Sequence, residues 1–449
     1  MKKINFYLIY LVFIVSFLKG ILAFGGVGEP ITQAFIDLII IILFFNSMLY
    51  VLKKKKIIAP GFTINIFLFI VIIVSFLLTD VQEIQLIIFI RKFTLYYLFF
   101  YVLFNINLNN MQIESLKKLI IFLFIIQVPS SFIKLILLGG TLEKIVGTIS
   151  ITEGSLATIM PLMAISYLIS NYLISKNFKY IIWILLFIMI GLMSNKIAIL
   201  FYLIILFIYL SYFYSTTKFR LPNLLFMKKL LLNMVYLIVI FLLFVVINPR
   251  TNPEHKVGGS FDIEYLIDLT EKYNTKKPSI YEGEGQGRYD APGVVFSRLH
   301  DGGLLNILLG FGPGEITRSS FTKYGDPLLE KYNIGYGGRQ GWLWIAMQIG
   351  VIGMITMALF HFILLKKLLV VHKVKYLNKE DKIHILTALG FLLIYILDFF
   401  SYSRILFTSP SVVLTYYFVI FYVLNRHMEY KKTKKLKKEP LTNPTSQIG

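Results

Sequence analysis

Apolar positions follow one another in long blocks along this chain, and polar positions gather in short clusters between them. Neither the alternation of a half-buried strand nor the narrow stripe of a soluble amphipathic helix dominates. Apolar blocks stand at 5–24, 32–52, 62–79, 85–104, 119–138, 155–174, 180–193, 197–214, 230–248, 341–365, 384–400 and 410–425. A helix of about 20 such residues crosses a ~30 Å hydrocarbon layer. The pattern predicts an all-α polytopic integral membrane protein with about 12 transmembrane helices and one large extracytoplasmic loop. Residues 1–248 then carry transmembrane helices 1–9, 249–340 the loop, 341–425 helices 10–12, and 426–449 a basic cytoplasmic tail.

Composition supports this. Only 15% of residues are charged and the mean hydropathy is +0.73, against about a quarter charged in ordinary soluble domains. The net charge of +21 would fit a nucleic-acid binder, but its distribution does not. Lysines cluster at the ends of apolar blocks: Lys2 and Lys3, Lys53 to Lys56, Lys117 and Lys118, Lys228 and Lys229, Lys366 and Lys367, and the KKTKKLKKE tail. This is the positive-inside pattern of short cytoplasmic loops. The segments on that side hold 27 Lys+Arg against 5 Asp+Glu, whereas 249–340 holds 11 against 12. Both termini are therefore expected in the cytoplasm and the loop outside it, with no nucleic-acid site. Anionic lipid headgroups are the natural partners of the tail. The N-terminal block shows no convincing small-residue cleavage site and is read as a retained first span.

The loop carries the polar chemistry. FDIEYLIDL has helical spacing, YNTKKPSIYEGEGQGRYDAPG is too rich in glycine, proline and charge for a regular element, SRLHDGGLLNILLG reads as a short amphipathic helix, and GFGPGE reads as a turn. Arg288, Arg298, Arg318 and Arg339 are interleaved with Glu282, Glu284, Asp290, Asp301 and Glu315. Arginine suits phosphate because its planar fork donates two parallel hydrogen bonds and stays charged. Any one such residue is equally at home on a solvated loop.

Charges also stand where lipid is expected. With a fourth span starting near Ile84, Arg91 and Lys92 lie about 10 Å below the outer surface at ~1.5 Å per residue, a depth that calls for a wet cavity or a partner. A start near Phe93 would instead put them at the interface. Lys196, in GLMSNKIAI, sits on a tight outer hairpin, either facing a site or snorkelling. Lys19, Asp37, Lys134, Asp398 and Arg404 lie near outer ends of spans, with snorkelling or mutual pairing expected for Lys19 and Lys134. There is no cysteine, no phosphate-binding glycine loop, no H-E-x-x-H and no D-x-D in the loop, and the six histidines are scattered. No cofactor and no metal site are expected.

In layout and in several motifs the chain resembles the O-antigen polymerase and ligase superfamily, which includes the Wzy-type repeat-unit polymerases. The layout is a dozen spans with a large external loop before the last three. The motifs are Gly287–Arg288 followed by LLNILLGFGPGEI, then GGRQGWLWIAMQIGVIG, with MSNKIA at 193–198 in place of an S-R-G hairpin. The ligases' H-N-x-x-L stretch has no counterpart, since Arg339–Gln340–Gly341–Trp342 stands there, and this favours polymerase over ligase.

The resemblance implies a metal-independent glycosyltransferase of the bacterial inner membrane. It would transfer a growing glycan from undecaprenyl diphosphate onto a lipid-linked repeat unit, alongside a flippase and a chain-length regulator. It also implies Arg288 and Arg339 as first diphosphate ligands, Arg91, Lys196 and Arg298 behind them, and Glu282, Glu284, Asp290 or Asp301 as base. An O-antigen ligase-type transferase and a lipid-linked oligosaccharide flippase are the alternatives, and a non-catalytic assembly or length-control protein shares the same composition.

Overall fold

The computed structural model describes residues 2–55, 57–138, 146–150, 154–194, 196, 198–215, 242, 252–254, 258–260, 262–265, 267–268, 271, 287–317, 327–334, 337–374 and 378–436. Among these the structure is all-α, with a single isolated bridge between Val146 and Ser150. In chain order the helices are α1 (Lys2–Phe24), α2 (Glu29–Lys54), α3 (Phe62–Leu77), α4 (Glu83–Asn105), α5 (Asn110–Leu138), α6 (Leu156–Ser175), α7 (Lys179–Met193) and α8 (Ala198–Ser215). Then come α9 (Ala291–Asp301), α10 (Leu304–Leu309), α11 (Pro327–Glu330), α12 (Gly341–His372), α13 (Lys379–Leu397), α14 (Ile405–Thr408) and α15 (Pro410–Leu436).

Eight helices among the described residues are long and apolar enough to cross a membrane: α1, α2, α4, α5, α6, α8, α12 and α13. Helices α3 and α7 are shorter apolar helices. The expected ninth span, 230–248, lies outside the described residues apart from Leu242. Many large apolar side chains point outward, including Phe35, Leu38, Phe45, Phe67 and Ile70, as a helix bundle surrounded by hydrocarbon requires.

Aromatic rings fill the interior. Phe13 meets Phe99 and Phe418 edge-on, Phe17 meets Phe124, and Tyr97 meets Phe360. Helix α4 runs through the middle of this packing, flanked by α2 and α15 and touching Trp344 and Phe360 of α12 through its rings, and its Phe89, Phe99, Phe100 and Val102 are completely buried.

Helix α12 breaks at Ile349–Gly350, where Gly350 takes φ 66° and ψ −171°. The turn 310–314, GFGPG, presses into that break. A Cβ on Gly310 would lie 2.7 Å from Ile349 N, and one on Gly350 would lie 2.1 Å from Leu308 O. Only glycine permits so close a crossing at positive φ. Gln348, fully buried, ties the turn down: its Oε1 accepts hydrogen bonds from Gly314 N at 2.9 Å and Thr317 Oγ1 at 3.1 Å. Phe311 N donates to Met347 O at 2.7 Å, and Ser75 Oγ of α3 donates to Leu309 O at 2.7 Å.

Following α13, a π-helical turn spans Asp398–Tyr402. Ser403 then folds back, its Oγ donating to Asp398 Oδ1 at 2.6 Å and its backbone N to Asp398 O at 3.0 Å.

Candidate functional site

The polar groups of interest gather at the end of the bundle where the loop joins. Arg288 opens the segment leading into α9, whose Ala291, Val295 and Leu299 are buried against the start of α12 and the 3-10 turn Gly337–Arg339. Gln340 stitches these pieces together. Its Nε2 donates to Arg288 O at 3.3 Å and its Oε1 accepts from Trp342 Nε1 at 3.0 Å. The same indole N–H also reaches Phe400 O at 3.0 Å. Gly341 N donates to Ser403 O at 3.0 Å, which brings the π turn alongside Arg339 and Gln340. Arg288 and Arg339, fifty-one positions apart, are thus held by one small framework.

The next residue of that framework is Arg404. Its guanidinium carbon lies 5.5 Å from the ring centre of Trp344, itself buried and packed on Phe89 of α4. Cation–π contact of this kind is strongest when desolvated. Lys92 of α4 feels the charges of both Arg404 and Arg91. Arg91 Nε stands 3.1 Å from Asp37 Oδ2 of α2. Asp37 Oδ1 accepts from Gln33 Nε2 at 2.7 Å, and Gln33 Nε2 also reaches Tyr96 OH at 3.3 Å. Beyond it, Lys19 Nζ pairs with Glu29 Oε2 at 3.3 Å, and Lys134 Nζ donates to Ser150 O at 2.8 Å. Arg404, Lys92, Arg91 and Asp37 are thus electrostatic neighbours in a band of charge, with Lys19 and Glu29 beyond, and the segment of Arg288 and Arg339 is tied beside it by the Gly341–Ser403 hydrogen bond.

Of the residues singled out from the sequence, Arg288 and Arg339 are joined through Gln340, and Arg91 is in the band. Because α4 begins at Glu83, Arg91 stands eight residues inside it, or about 12 Å at 1.5 Å per residue. Arg298 and Asp290 are exposed on and beside α9. Lys196 is half-buried in the turn between α7 and α8, its backbone N donating to Gly191 O at 2.9 Å. Glu282, Glu284 and Arg318 lie outside the described residues. Asp301 ends α9, and Glu315 is paired with Lys331 and accepts from Tyr332 OH at 3.3 Å. The stretch 297–310 forms two helices rather than one, because Gly303, at φ 86°, breaks it.

Sequence reasoning placed Arg404 and Asp37 near span ends but gave neither a site role. A guanidinium over an indole and an ion pair between α2 and α4 are long-range facts that no local spacing announces. Arg404, Lys92 and Arg91 stand close enough for Lys92 to feel the other two charges, and Arg91 has Asp37 as its counter-ion. Among the described residues no group of three or more His, Asp or Glu is placed to hold a metal ion. No protein-family model matches the chain, and no curated protein matches it.

Proposed function

We propose that this protein is a polysaccharide polymerase of the bacterial inner membrane. It moves a growing glycan from undecaprenyl diphosphate onto a lipid-linked repeat unit at the extracytoplasmic face. In this reading twelve spans place both termini in the cytoplasm, and the loop 249–340 stands outside. The observation that carries it is that the segment of Arg288 and Arg339 is hydrogen-bonded to the one bearing Arg404, whose charge reaches Lys92 of α4. A diphosphate leaving group needs its developing charge neutralised and its line of departure fixed, and preorganised guanidinium groups in a water-poor site do both. Arg288 and Arg339 hold the diphosphate, with Arg404, Lys92 and Arg91 supplying further positive charge behind them.

The test uses purified full-length protein in lipid nanodiscs with lipid-linked repeat units extracted from the source membranes. The parental protein is expected to build a ladder of products. Arg288→Lys keeps the charge but loses the bidentate fork, so it should lower the rate by about a hundredfold while folding normally. No ladder from the parental protein would overturn the polymerase reading.

A further inference from the structure

We propose that a second site, at the opposite end of α12 from Gly341, holds the headgroup of a phospholipid that bears both a phosphate and a primary ammonium. The proposal goes beyond the polymerase reading and stands without it, since it needs only that the helices lie in a membrane. A cavity of about 310 Å³ opens there, lined by the ends of α5, α12, α13 and α15. That is the low end of the ~300–1,000 Å³ of small-molecule sites, room for a headgroup but not for a glycan.

The sequence sets the depth of this cavity. The apolar block 410–425 ends where Arg426 begins, the block 384–400 starts just after Asp381, and a run of lysines follows from Lys431. Tyr422 and Tyr430, which also line it, are of the side-chain type that gathers where hydrocarbon gives way to headgroups. The helix ends around it are braced. Tyr422 OH of α15 donates to Glu114 Oε1 of α5 at 2.6 Å, and Lys117 of α5 bridges Glu114 and Glu380 of α13. Asn378 caps α13 by accepting from Asp381 N at 2.6 Å.

The cavity wall carries both signs of charge, loosely engaged. Arg426 Nε stands 3.6 Å from Asp381 Oδ1, beyond hydrogen-bond length, and the two side chains are 35% and 21% exposed. That Asp381 oxygen accepts no hydrogen bond among the described residues, and neither ring nitrogen of His427, beside Arg426 on the same wall, has a partner there. A guanidinium donates to phosphate oxygens in parallel pairs, and a carboxylate accepts from a primary ammonium. A ligand of one sign meets the wrong charge: phosphate alone would face Asp381 and Glu429, and an ammonium alone would face Arg426. A zwitterion answers both. Val371, Ile385 and Val423 supply the apolar part of the wall, where the glycerol and first methylenes of a lipid lie. His384, His427, Asp381 and Glu429 do not gather tightly enough to hold a metal ion instead.

The experiment is native mass spectrometry of the full-length protein released from detergent, with phosphatidylethanolamine, phosphatidylcholine or phosphatidylglycerol added at equal concentration. The parent is expected to retain one phosphatidylethanolamine about tenfold more tightly than either comparison lipid, because phosphatidylcholine has no N–H to give Asp381 and phosphatidylglycerol has no ammonium. Asp381→Asn should bring phosphatidylethanolamine down to the phosphatidylcholine level, whereas Arg426→Gln should weaken all three by about tenfold. Lys367→Gln, an exposed lysine of α12 outside the cavity, should change nothing. Arg426→Lys keeps the charge without the fork, so it should bind about threefold more weakly yet still prefer phosphatidylethanolamine, and it decides the matter if Arg426→Gln fails to fold. Water-soluble phosphoethanolamine in excess should leave most of the lipid bound, since it has no acyl chains for the apolar wall. Its full displacement of the lipid would make the soluble zwitterion the ligand and overturn the lipid assignment. Equal or better retention of either comparison lipid by the parent would overturn the proposal, as would an undiminished preference in Asp381→Asn or loss of preference in Arg426→Lys. None of these outcomes bears on whether the protein builds glycan.

Discussion

Gly310 and Gly350 cross so closely that neither can carry a side chain: an added Cβ meets backbone atoms at 2.6 Å in the first case and 2.1 Å in the second. The break in α12 and the turn before it are therefore one structural unit.

Gly350→Ala should destabilise the protein strongly. Strain at this φ and ψ alone costs about 1–3 kcal/mol, and the overlap with Leu308 O adds to it. A thermal melt in detergent, followed by size exclusion, should show an early loss of monodisperse protein. Gly293→Ala is the control, because a Cβ there meets nothing within 4 Å. That change should be neutral or gain about 1 kcal/mol of helix propensity.

Gln348→Leu removes the acceptor shared by Gly314 N and Thr317 Oγ1. Leaving a buried donor unsatisfied costs about 1–3 kcal/mol. Limited proteolysis should therefore cut near 310–317 sooner in the variant than in the parent. Equal cleavage rates would show that the turn is held by other contacts.

Arg404→Lys should reduce polymerisation by about ten- to a hundredfold, since a lysine lacks the planar fork that stacks on an indole. Trp344→Leu should move the rate in the same direction by removing the platform. The comparison is made on product ladders from nanodiscs at equal protein amounts. A silent Arg404→Lys would place this residue outside the reaction.

Orientation is open to a direct check. An enzymatic reporter inserted after Gly285 should be active only in its extracytoplasmic form, and one after Lys435 only in its cytoplasmic form. The opposite outcome at either point would invert the proposed topology.

Much of the helical framework was readable from the chain because hydrocarbon imposes a length on every span. The blocks at 5–24, 32–52 and 85–104 fall within α1, α2 and α4 with small boundary shifts. The place of Arg91 well inside its helix was readable too, since α4 starts at Glu83. What could not be read is pairing across the bundle. Asp37 finds Arg91 only because α2 packs on α4. GFGPG stood out as a turn, but its partner is a glutamine hidden in the apolar run of α12, where a polar residue has no local signature. Arg404 looked like one more interfacial charge, and its meaning comes from Trp344, sixty positions earlier.

The π-helical turn at Asp398–Tyr402 gives this part of the molecule an unusual sensitivity to length. An insertion or deletion of one residue there would turn whatever follows by about 100° around the helix axis. Arg404 would swing off Trp344, and the Ser403 carbonyl would no longer meet Gly341 N, although every side chain type were kept. Substitutions at Phe399 or Phe400 can be absorbed by repacking, whereas a single-codon deletion cannot. Proteins that share this site should therefore tolerate variation in what these five residues are far better than variation in how many there are.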